Sequence, residues 1–82
     1  MPFHSKYIIA DLENKKQIAF VFCESLQHDE AARMIGGKIV SAGFCQIIEN
    51  QYYCYGGSIS LDCKSRYNID SDFLNNMLGT NS

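Results

Sequence analysis

The side chains of this 82-residue chain that could do chemistry are four cysteines (Cys23, Cys45, Cys54, Cys63), two histidines (His4, His28) and nine carboxylates. A thiolate nucleophile needs a base beside it, and His28 is the candidate base. One histidine and four scattered cysteines do not specify that geometry, so a solvated or helix-packing His28 is the simpler account. Structural zinc sites usually carry at least one close cysteine pair of the C-x-x-C kind. Cys45, Cys54 and Cys63 are nine residues apart and no such pair exists. The two histidines lack ligand spacing, and small buried hydrophobes are the expected role of the cysteines. Asp29 and Glu30 are adjacent, and adjacent helical side chains diverge by about 100°, so they suit a helix dipole better than paired acid–base work. Asp62, Asp70 and Asp72 lack the alternating acids and the glycine of a calcium loop. No G-x-S-x-G elbow is present. The expectation is a protein that is not an enzyme, with no catalytic residue, metal ligand or cofactor site.

The stretch that must position everything else runs from Lys38 to Cys63 and reads as one long β-hairpin. Val40, Ala42, Phe44 and Ile48 alternate along the first arm, and Tyr53, Tyr55, Ile59 and Leu61 along the second. Such alternation marks a sheet with two unlike faces. A two-residue turn at Asn50–Gln51 pairs Ile48 with Tyr53 and Gln46 with Tyr55, which places both apolar sets on one face. A one-residue slip would set an apolar row beside a polar one. Ser41, Ser58 and Ser60 fall on the opposite face, where hydroxyls bond across strands. Gly56–Gly57 marks a bulge or bend. A phosphate cradle there would need a helix directly after the glycines, and the following SISLDC is strand-like. Cys45 and Cys54 come out as diagonal neighbours, the first choice for any pair that oxidises.

Upstream, Tyr7–Leu12 reads as a short strand and Glu13–Lys16 as a polar turn. Gln17–Cys23 is a nearly continuous apolar run, as expected of a strand buried on both faces or in the middle of a sheet. Ser25 reads as the N-cap of a helix over Leu26–Ile35, closed by Gly36. After Cys63, Asp70 caps a second helix, Ser71–Leu78, whose Phe73, Leu74, Met77 and Leu78 form a docking stripe. The order ββαββα defines an α+β class, a four-stranded antiparallel sheet with two short helices packed on it as one layer pair. A single domain spans residues 1–82, with 1–6 and 79–82 as loose ends.

The net charge is −2 and seven cations are spread along the chain, which argues against a nucleic-acid partner. No run approaches the ~20 apolar residues of a membrane helix. The N-terminal MPFHSKY lacks an apolar signal core, so a cytoplasmic protein with free thiols is expected.

The tyrosines are the most suggestive polar feature, because tyrosine joins apolar area to a hydrogen bond and is enriched at interfaces. Tyr53 and Tyr55 read as core-edge residues. The candidate partner-binding set is Cys45, Ile47, Glu49, Tyr52 and Tyr67, an apolar patch and hairpin tip left open if no helix covers that face. The segments Val40-Ser41-Ala42-Gly43-Phe44 and Tyr55-Gly56-Gly57-Ser58-Ile59-Ser60-Leu61 resemble small uncharacterised proteins encoded by bacterial phages and prophages. The resemblance covers the second half of the chain and carries no catalytic residues. It implies a phage accessory protein acting inside a bacterial cell. By analogy with other small acidic phage proteins, it would inhibit a host defence system, as anti-CRISPR proteins do. The reading is therefore a non-enzymatic protein that binds a protein partner. The alternatives are a self-associating module forming a homodimer and, further off, a thiol- or zinc-dependent protein.

Overall fold

A computed structural model describes residues 4–78. Strands β1 (His4–Asp11), β2 (Gln17–Phe22), β3 (Lys38–Ile48) and β4 (Gln51–Tyr55) form one antiparallel sheet in the order β2-β1-β3-β4. Helix α1 (His28–Ile35) joins β2 to β3, and α2 (Tyr67–Leu78) follows a two-stranded ribbon of β5 (Gly57–Ser58) and β6 (Cys63–Lys64). The class is α+β, as the alternation predicts.

The central strand is β1, not β2. Tyr7, Ile8, Ile9 and Ala10 are fully buried, because β1 pairs with β2 on one side and β3 on the other. Strand β2 lies at an edge, and most of its residues are only half-buried. Its continuous apolar run is still accounted for, because each of its faces meets a different core. Ala19 and Val21 pack with Tyr7, Ile9, Cys45, Cys54 and Leu74. Phe20 packs on the other side with Ile8, Ala10, Phe22, Ala31 and Ala42. Helix α2 therefore covers one face and α1 the other. The molecule has three layers rather than two, and both helices exclude water from the sheet between them. Strand β1 also begins at His4, so residues 4–6 are strand and not a loose end; residues 1–3 and 79–82 lie outside the described residues.

The β3–β4 hairpin forms, but its turn sits one residue earlier than predicted. Glu49 and Asn50 both take positive φ (51° and 68°), and Ile48 pairs with Gln51. Two left-handed residues are what a type I′ turn needs, and that twist overrides the lack of a glycine. The register thus pairs Gln46 with Tyr53, Cys45 with Cys54 and Phe44 with Tyr55. The change is two residues across the pair, so each side chain keeps its expected face. The second arm is shorter than predicted. Gly56 (φ 74°) ends β4, and the chain turns into the β5–β6 ribbon, which tucks Leu61 and Cys63 beneath the α1-side core. Gly43 sits where β1, β4 and the α2 entry converge. A Cβ there would lie 2.6 Å from the Tyr55 carbonyl oxygen and 3.3 Å from the Tyr7 ring, so only glycine fits.

Both helices start differently from the expectation. Gln27, not Ser25, precedes α1, and its N–H donates to Glu30 Oε1 at 3.1 Å, half of a capping box. The Ser25 hydroxyl turns instead to Cys23 Sγ. Gly36 closes the helix in the left-handed region, with its N–H on the Ala32 carbonyl, as predicted. Helix α2 starts four residues earlier than expected. Asp70 is an acceptor inside its first turn, taking the Arg66 backbone N–H at 2.9 Å.

Candidate functional site

The most connected polar group in the molecule is buried between β1 and the start of α2. The Tyr7 hydroxyl lies 2.5 Å from Asp70 Oδ2 and 2.6 Å from Ser65 Oγ. A phenol has one proton. The Asp70 carboxylate, an acceptor, takes it, and the Ser65 hydroxyl completes the site. Arg66 Nε donates to Asp70 Oδ1 at 2.9 Å, so the fully buried carboxylate has an ion-pair partner at the surface. Burial first, and the Asp70 contact second, push the Tyr7 phenol well above its ordinary value and keep it protonated. The cluster is a clamp between sheet and helix. Its members satisfy one another's hydrogen bonds.

His28 and Cys23 stand apart from this cluster, whereas Cys45 and Cys54 face each other across the β3–β4 pair beside Tyr7. His28 Nε2 bonds the Gly43 carbonyl at 2.8 Å, and its ring stands edge-on to Phe22 and Phe44. Burial lowers its pKa and favours the neutral ring. Cys23 is exposed, and the Ser25 hydroxyl lowers its pKa. Burial raises Cys45 to about 12 and Cys54 to about 11, so neither is a thiolate near neutral pH. Among the described residues no group of three or more His, Cys, Asp or Glu side chains could hold a metal ion.

The predicted partner-binding set is split. Helix α2 covers the face that would have been open had no helix packed there. Cys45 is buried beneath it, and Tyr52 is half-buried, its N–H and C=O both held by the Asn75 amide at 2.7 and 3.2 Å. Ser71 Oγ takes the Cys54 N–H at 2.9 Å. Ile47 (48% exposed) and Glu49 remain at the hairpin tip. Tyr67 (62% exposed) lies at the opposite end of α2, eight residues before Asn75, or about 12 Å along the axis.

Tyr67 has a neighbour the alternation assigned to the core. Ile59 stands at the turn of the β5–β6 ribbon and is fully exposed (101%). Both line an open cleft of about 500 Å³ with Gly56, Gly57, Asp62 and Lys64. The break at Gly56 decides this. Once β4 ends, residue 59 no longer follows the alternation of the arm. The Gly-Gly pair was the available signal, because it marks where a strand pattern ceases to apply. Tyr53, read as core edge, is also nearly half exposed.

No family model, no curated protein and no solved structure matches the chain. No helix among the described residues is long and apolar enough to cross a membrane.

Proposed function

We propose that this chain is a non-enzymatic binding protein that engages a protein partner through the β5–β6 turn and the first turn of α2. The observation that carries this is Ile59, an aliphatic side chain wholly in water beside the exposed Tyr67, in one cleft. Exposed apolar groups beside an aromatic with a free-standing ring are the usual anchors of protein contacts. The setting rests on the resemblance of the second half of the chain to phage-encoded proteins. On that basis the partner is a host-cell protein, and inhibition of a host defence complex is the form the binding takes.

Affinity capture with the tagged chain from bacterial lysate tests this. A stoichiometric partner should be retained by the wild type and lost with Ile59→Asp or Tyr67→Ala, at unchanged circular dichroism. Failure of the wild type to retain any partner, or full retention by both variants, would overturn it. The self-association alternative meets an obstacle at β4, where Asn75 and Ser71 already occupy the outward backbone groups. A monomer on sizing at high concentration removes it.

A further inference from the structure

We propose that Cys45 and Cys54 are a built-in cross-strand disulfide site, closed by exchange with a small-molecule disulfide of the glutathione class. Three observations carry this. The two residues are directly opposite in the β3–β4 register, closer than the diagonal placement the sequence implied. Both side chains belong to the same buried cluster, with Tyr7, Ile9 and Leu74. The third observation is the direction of the backbone. Tyr52 N–H and C=O and Cys54 N–H are bonded to α2 side chains, so residues 52 and 54 turn their hydrogen-bonding groups away from β3. The two-residue turn at Glu49–Asn50 requires the same phase. The Cys45–Cys54 pair is therefore of the non-hydrogen-bonded kind, in which opposed Cα atoms are about 4.5 Å apart. Disulfides span Cα separations of about 4.4–6.8 Å. The other two cysteines are excluded by place. Cys23 follows the far edge strand, and Cys63 packs on the α1 side of the sheet with Sγ toward the Val40 carbonyl.

The chemistry balances without a metal. One cysteine thiolate attacks the small disulfide, whose S–S bond breaks as a mixed disulfide forms and one small thiolate leaves. The second cysteine thiolate displaces the other small thiolate. The protein loses two electrons and two protons, and the reagent gains both as two thiols. In the closed fold both thiols are buried and protonated, so exchange proceeds when α2 lifts from β4 or while the chain folds. The product locks the hairpin a short distance from its tip, which carries Ile47 and Glu49. The site is independent of which partner the Ile59 cleft takes.

The test uses the full chain carrying Cys23→Ser and Cys63→Ser, refolded from urea in a mixed oxidised and reduced glutathione buffer. Refolding exposes both remaining thiols, so inertness of the folded state cannot mask the result. Cleavage after Glu49 separates Cys45 from Cys54, and only a disulfide then holds the fragments together. The expected result is linked fragments, monomeric protein two hydrogens lighter, and a Tm above the reduced form by on the order of 10 °C for so short a loop. Unlinked fragments, persistent glutathione adducts, or a linked protein that melts below its reduced form would each overturn the proposal.

Discussion

At the scale of single residues, burial decides what each polar group is worth. Tyr7→Phe keeps the ring and removes the sheet's hydrogen-bond donor to Asp70. Hydrogen bonds to charged groups contribute about 1.5–3 kcal/mol, so a loss of about 2 kcal/mol is expected in urea unfolding. An unchanged midpoint would show that the clamp does not hold α2. Ser41 is the opposite case. It is fully buried and its hydroxyl has no partner among the described residues, contrary to the cross-strand bond expected for it. Ser41→Ala removes an unpaired polar atom and should raise stability by about 1 kcal/mol. His28 supplies a pH dependence. Its folded pKa is lowered by burial, while the unfolded ring titrates near 6.5. Between those values the unfolded chain holds a proton the folded chain lacks, so stability is retained above about pH 6.5 and falls as pH drops below it. His28→Gln should flatten that part of a stability–pH profile. A slope that persists in the variant would assign it elsewhere.

At the scale of elements, α2 acts as a substitute strand. Asn75 and Ser71 are four residues apart and so share a helix face, which aligns one with Tyr52 and the other with Cys54. Met77 Sδ lies 3.4 Å from the Ala19 backbone N on β2, so the same helix reaches the other edge. Unpaired edges invite strand addition, and here helix side chains take up the Tyr52 and Cys54 groups on β4 and the Ala19 amide on β2. Asn75→Ala should cost about 1 kcal/mol and raise concentration-dependent association, read by sizing across a dilution series. A variant that stays monomeric with unaltered stability would show that water replaces the amide without consequence. The aromatic rings add a second element-level feature. Phe20, Phe22, His28, Phe44, Tyr55 and His4 follow one another across the α1 face at centroid separations of 5.4–6.1 Å. This line ties all four strands to the start of α1.

At the scale of the whole molecule, the two helices lie on opposite faces of a thin sheet, which leaves little apolar surface for them to compete over. Of the apolar side chains left in water, Met34 lies on α1 and Ile69, Met77 and Leu78 on α2, and the others fall at the two ends of the molecule. Ile47 and Ile48 lie at the hairpin tip, and Ile59 and Tyr67 at the ribbon. Ile59→Asp should shift stability by less than about 0.5 kcal/mol, because a fully exposed side chain contributes no buried area. A large destabilisation on thermal melting would mean that Ile59 packs somewhere in solution, and the contact surface would need to be sought at the tip instead.

Much of the fold was legible because it is local. Alternation placed the faces of β3 and β4, and the left-handed preference at Gly36 closed α1. The polar Glu13–Lys16 run separated the first two strands. Even the mistaken turn position preserved every face, since the error was even in register. The long-range choices were not legible. The centre of the sheet fell to β1 because only pairing on both sides buries Tyr7–Ala10 completely, and strand order carries no local mark. The face holding Cys45 and Tyr52 was closed by a helix whose side chains satisfy the β4 backbone, and the early start of α2 depended on Asp70 reaching Tyr7 across 63 positions of chain. The sequence by itself determined the order of the main strands and helices and which side of each is apolar, though not where β4 ends or where the helices begin, because order and side follow from propensity and period. Only the tertiary structure decided which faces stay in water, and with them the candidate site, because burial is a property of what packs from elsewhere in the chain.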